Sequence, residues 1–108
     1  MNFNIDSHLN INNTCKVGAI NISFYELVEL LGPPVCGPSS DCKTQCEWHL
    51  EFEDGTIATI YDYKQGDIPI EQINYWNIGG KTPKAYGMVL CAIEEARMDQ
   101  QWINAHNV

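Results

Sequence analysis

Two periodicities divide the chain. Apolar residues alternate loosely over 3 to 11 (Phe3, Ile5, Leu9, Ile11) and again over 15 to 22 (Cys15, Val17, Ile20, Ile22), which predicts two short strands around an Asn12-Asn13 turn. Residues 1–13 read as a flexible or exchanged arm. The period then becomes helical, with Phe24, Leu27, Val28 and Leu31 on one face of residues 24 to 31. Ser23-Phe24-Tyr25-Glu26 is a capping box, in which a hydroxyl and a carboxylate satisfy backbone N–H groups that the first turn leaves unpaired. Ile22 and Leu27 are spaced to staple this end. Gly32 and Pro33-Pro34 stop the helix, because glycine accepts a left-handed cap and proline cannot continue.

The most regular alternation lies in residues 44 to 53 and 56 to 63, on either side of Asp54-Gly55. Asp-Gly suits a two-residue type I′ turn, whose register sets Phe52 against Ile57, Leu50 against Thr59, Trp48 against Tyr61 and Cys46 against Tyr63. These eight form the expected core face. The other face then carries Glu47, His49, Glu51 and Glu53 opposite Asp62, Ile60, Ala58 and Thr56, and is acidic. A further strand is predicted over 73 to 78. Gly79-Gly80-Lys81-Thr82-Pro83 opens the last helix, with Thr82 as N-cap and Pro83 at the first helical position. That helix buries Tyr86, Val89, Leu90 and Ile93 and is expected to end near Gln100, leaving Trp102-Ile103 to tuck against the sheet or against a second copy. The order β(β)-α-β-β-β-α predicts one α+β domain over residues 1–108, a small antiparallel sheet with two helices on one face.

Charge and cysteine usage narrow the function classes. Fourteen acidic against six basic residues give a net charge of −8, which repels a phosphate backbone, so neither direct nucleic-acid binding nor an anionic membrane is expected. No run approaches the roughly 18 apolar residues that cross a bilayer. The start lacks a basic segment followed by an apolar one, so a cytoplasmic protein is expected. Cys15, Cys36, Cys42, Cys46 and Cys91 are odd in number and read as free thiols. Cys36-x5-Cys42-x3-Cys46-x2-His49 offers four zinc-ligand types, but it lacks a CxxC, and Cys46 and His49 stand three apart in a strand and so point to opposite faces. Neither a metal nor another cofactor is expected.

Three constellations could carry chemistry. Gly79-Gly80-Lys81-Thr82-Pro83 places pliable backbone, a lysine and a helix N-terminus together, as phosphate binding requires, although glycines also end strands for steric reasons and the full phosphate-loop pattern is missing. Lys43, Lys64, Lys81 and Lys84 stand at the ends of the central elements. Trp48, Tyr61, Tyr63, Tyr75 and Trp76 supply an aromatic group beside these lysines, which suits a nucleobase with phosphates. Trp48 and Tyr61 fall on the expected core face, and only one of Tyr75 and Trp76 can join them; Trp76 is placed with the Gly-Gly turn as a stacking ring. Glu47 opposite Asp62, beside His49 and Glu51, has the composition of an acid–base or metal site, or of an acidic surface neutralised by Lys43 and Lys64. No nucleophile motif accompanies it, so an enzyme is not the favoured reading.

Asp41-Cys42-Lys43, Glu47-Trp48, the run from Phe52-Glu53-Asp54-Gly55 through Ala58-Thr59-Ile60-Tyr61 to Lys64, and Trp76-Asn77-Ile78-Gly79-Gly80 resemble a group of small phage and prophage proteins. Their pattern is Asp-Gly-Tyr-Lys, Glu-Trp, Phe-x-Asp-Gly-x-x-Ala-Thr-Ile-Tyr and Trp-x-Ile-Gly-Gly. The likeness covers about residues 23 to 91 and includes the Leu-Gly-Pro helix exit. It departs at Cys42, where the group has Gly-Tyr, and it does not cover the arm. The resemblance implies a viral accessory protein acting against host immunity, and it brings no catalytic mechanism.

The leading expectation is a protein that binds and sequesters a nucleotide second messenger, a cyclic nucleotide or an ADP-ribose derivative, without turnover. The base would stack on Trp76 or Tyr63, with phosphates held by Lys43, Lys64 or Lys81 and by Gly79, Gly80 and Thr82. A homo-oligomer is expected, because so short a chain encloses a ligand poorly and a pocket between subunits solves that. The alternative is an acidic inhibitor of a host nuclease or CRISPR effector, with Glu47, Glu51, Glu53, Asp54 and Asp62 mimicking nucleic acid. A small hydrolase of the signal would require Glu47, His49 and Asp62 to converge.

Overall fold

The computed structural model describes residues 2–6, 8–35, 45–63, 65 and 67–106. Five strands, β1 (Phe3–Ile5), β2 (Cys15–Asn21), β3 (Glu47–Phe52), β4 (Ile57–Tyr61) and β5 (Tyr75–Gly80), form an antiparallel sheet in the order β1-β3-β4-β5-β2. Helices α1 (Phe24–Leu31) and α2 (Lys84–His106) pack on one face, and a 3-10 turn (Ile70–Gln72) leads into β5. The architecture is the α+β arrangement that the alternation and caps predict. The arm is docked in its own chain over Phe3–Ile5: Phe3 pairs with Phe52, and their rings meet edge to face at 5.9 Å. No helix among the described residues is long and apolar enough to cross a membrane.

Helix α1 owes its limits to local chemistry and its position to two tryptophans. The Glu26 N–H donates to Ser23 Oγ at 3.1 Å, and Gly32, at φ +90°, closes the other end with its N–H on the Val28 carbonyl. The Glu26 carboxylate accepts from Arg97 Nε of α2 at 2.6 Å, which joins the two helices. The Trp76 indole donates to the Ile22 carbonyl at 3.0 Å and the Trp48 indole to the Gly32 carbonyl at 2.9 Å. Both ends of α1 are therefore held by buried N–H groups from the sheet. The two indoles meet edge to face at 5.3 Å, and Phe24 of α1 packs against both.

The hairpin differs from the sequence-based register by one residue. Glu47 pairs with Tyr61, Trp48 with Ile60, His49 with Thr59 and Leu50 with Ala58. The Phe52 N–H bonds to the Thr56 carbonyl and the Gly55 N–H to the Phe52 carbonyl, so the loop is the three residues Glu53-Asp54-Gly55. Only Gly55 of the pair has a positive φ, +87°, whereas a type I′ turn would require it of Asp54 as well. A slip of one residue turns every β4 side chain to the other face. Ala58, Ile60 and Asp62 point to the helices with Trp48, Leu50 and Phe52, while Thr59 and Tyr61 point away.

Helix α2 lies close to the sheet because two strand glycines admit it. A Cβ on Gly80 would press on Ala85, and one on Gly18 would enter the Tyr86 ring, each inside 3.0 Å. Ala85, Val89, Ala92 and Ile93 supply its buried stripe. The helix outruns the expected end, and Trp102 and Ile103 belong to its last turns, 63% and 47% exposed.

Candidate functional site

The residues expected to form one ligand site are divided by the sheet. Trp76 is fully buried on the helix side, between Trp48 and Phe24, with its N–H committed to Ile22; it offers no face for stacking, which corrects its placement beside the Gly-Gly turn. Gly79 and Gly80 are the last residues of β5 and are buried there. Packing accounts for both: Ala85 occupies the space beside Gly80, and Thr59 Oγ1 and the Tyr61 ring occupy that beside Gly79. Lys81 and Thr82 are exposed after the strand and share a depression of about 220 Å³ with Asp54 and Gly55 of the hairpin loop and with Thr56 and Ile57 that follow it. There Lys84 bonds to Asp54 and, with Thr56, holds its carboxyl well below the usual carboxylate range. Tyr63 is 42% exposed. Lys43 and Lys64 lie outside the described residues.

The acidic face is broken up in the same way. Asp62 is fully buried on the helix side, where its Oδ1 accepts from the Gln45 N–H (2.7 Å) and the Cys46 N–H (3.1 Å). Glu47 sits on the opposite face, across from Tyr61, with its Oε1 3.3 Å from His49 Nε2. Glu47, His49 and Asp62 therefore do not converge. Asp54 is paired with Lys84, and Glu53 accepts from Asn2 at 2.7 Å. Cys46 is buried against the helix-side core while His49 faces away, and Cys36 and Cys42 lie outside the described residues. Burial, then the charges of Asp62 and Glu47, push the Cys46 thiol up to about 12. Among the described residues no three His, Cys, Asp or Glu side chains gather as a metal site would need.

The face turned away from both helices has a character of its own. Cross-strand pairing lays His49, Thr59, Gly79 and Lys16 in one row, and Glu47, Tyr61, Asn77 and Ala19 in the next. The bulge at Val17 matters here: it leaves Lys16 opposite Gly79 on this face while Gly18 stays on the helix side under Tyr86. His49, Thr59 and Asn77 are 4%, 3% and 7% exposed, so this surface buries polar groups. Lys16 Nζ lies 3.4 Å from the Tyr75 hydroxyl and 5.6 Å from the centre of its ring. Lys16 starts opposite Gly79, and Tyr75 stands two residues before Asn77, so the pair reaches across the Asn77 position from both sides. Beneath it, Asn77 Oδ1 is buried and finds no hydrogen-bond donor among the described residues.

No protein-family model, curated protein or solved structure matches this chain. The site's geometry thus carries the functional reading. Tyr61 flanks Asn77 on the neighbouring strand, and its hydroxyl is pushed up by burial first and then by Glu47. An amide, two phenol rings and a lysine on one sheet face can accept a hydrogen bond from a ring edge, stack on the ring and neutralise an attached anion. Lys16, Tyr61, Tyr75 and Asn77 are absent from the ligand set expected from sequence, although the two tyrosines stood in the wider aromatic group. Their signal was the alternation itself, since with Trp76 in the core Asn77 must face the other way.

Proposed function

We propose that this protein is a non-catalytic binding protein that captures a nucleotide-like small molecule. In the phage setting that its motifs resemble, it withholds a nucleotide second messenger from a host defence. The observation that carries this reading is the buried, unpartnered carbonyl of Asn77 beside Tyr61 and under the Lys16–Tyr75 pair. A buried acceptor without a donor costs on the order of 1–3 kcal/mol, and a ligand that supplies the donor recovers that cost on binding. A sheet face covers a ligand from one side only, so a second copy closing the other side belongs to the same proposal.

The reading as an acidic inhibitor of a host effector retains the net charge of −8. It loses Asp62 to the core and Asp54 to Lys84. Native mass spectrometry of the purified protein with cyclic nucleotides and ADP-ribose derivatives tests the proposal. A chemically unchanged nucleotide retained at a fixed ratio per oligomer is the expected result. Bare protein across the whole panel would reject nucleotide capture and leave a protein partner as the alternative.

A further inference from the structure

Resting on that reading, we infer that the Lys16–Tyr75 pair is a displaceable cover and that Asn77 beneath it selects an adenine base. Lys16 is exposed and Tyr75 is 45% exposed, while Asn77 below them is 93% buried, the complement of its 7% exposure. Their 3.4 Å contact is long for a hydrogen bond to an ammonium group, and exposed contacts of this kind contribute little, so it opens readily. Opening releases a cation and a ring and uncovers the amide. The three groups then match the three parts of a nucleotide: Lys16 the phosphate, Tyr75 the face of the base, and Asn77 its edge.

The amide decides which base. Asn77 Oδ1 requires a donor, and the exocyclic amine of adenine supplies one next to a ring nitrogen that accepts from the amide N–H. On the edge that carries N7, hypoxanthine has a carbonyl at the place of that amine, so Asn77 Oδ1 there meets an acceptor and no donor. Tyr61, directly across from Asn77, borders the same edge, with its ring held against Gly79.

Calorimetric titration of the full chain with AMP and with IMP, which carry the same phosphate, isolates the contact. AMP is expected to bind at least about tenfold more tightly than IMP. Asn77→Leu should abolish that difference, and Lys16→Ala should weaken both ligands by a similar factor of about ten. If circular dichroism shows Asn77→Leu unfolded, Asn77→Ser shortens the reach and tests the same contact in a polar side chain. Equal affinity for AMP and IMP in the native chain, or a preference that survives in the folded Asn77 variant, overturns the assignment to Asn77 while nucleotide capture stands. A native chain that binds neither AMP, IMP nor any nucleotide of the mass-spectrometric panel removes both readings.

Discussion

Replacing Gly80 with alanine separates a packing role for the Gly-Gly pair from a ligand-holding one. The strand backbone there has no positive φ, so only space is at issue. A Cβ built on Gly80 stands well inside 3.0 Å of Cβ of Ala85 and 3.2 Å from the Thr82 carbonyl oxygen. Carbon atoms rest at about 3.5–4.0 Å, so α2 must withdraw by on the order of 1 Å. No rotamer can relieve this, because the obstacle is the first side-chain atom of a fully buried residue whose N–H is tied to Thr82 at 3.1 Å. Overpacking of this kind costs about 1–3 kcal/mol. In a domain near this size that lowers the melting temperature by roughly 5 to 20 °C. Thermal and urea unfolding followed by circular dichroism measure it. Ala85→Gly removes the opposing methyl at a helix-propensity cost of no more than about 1 kcal/mol. The double variant should therefore recover most of the loss, with a favourable coupling of about 1 kcal/mol or more. An unchanged midpoint in Gly80→Ala, or additive effects in the pair, would refute the packing account. Undiminished stability with lost nucleotide binding would return Gly80 to the ligand site.

Two further outcomes test the hairpin and the buried thiol. Gly55→Ala meets no atom within 4 Å but places a side chain at φ +87°, so it should cost only the backbone penalty of about 1–2 kcal/mol, and Gly55→Asn less; equal urea midpoints for all three would contradict the left-handed glycine of the three-residue loop. For Cys46, the folded pKa of about 12 lies above the ordinary thiol value of 9.0. The neutral thiol is thus favoured by folding, and that stability is present below pH 9 and lost as pH rises toward 12. Urea midpoints should fall over this window more steeply in the native chain than in Cys46→Ala, and parallel curves would show that Cys46 does not titrate differently in the two states.

Features that one short segment determines by itself are legible in the sequence, and those that depend on distant partners are not. Ser23 and Gly32 bound α1 where the capping pattern places them, because each acts within its own turn. Asp54-Gly55 suits two loops, a type I′ turn that needs positive φ at both residues and a three-residue loop that needs it only at glycine. Both outcomes leave a mostly apolar β4 face inward, Ile57-Thr59-Tyr61 in one and Ala58-Ile60 in the other, so hydrophobicity does not choose between them. The observed register carries Asp62 inward, which burial alone disfavours. The Gln45 and Cys46 N–H groups, 17 and 16 residues away, offset this by bonding to its Oδ1, while Oδ2 stays buried without a donor among the described residues. The choice between Tyr75 and Trp76 is of the same kind. Trp76 turns inward because its indole reaches a carbonyl 54 residues earlier, and Tyr75 turns outward to a lysine 59 residues earlier. Together these two long-range choices bring Tyr61, Asn77, Tyr75 and Lys16 onto one face, so the proposed ligand site depends on the same one-residue register that puts Ile60 in the core.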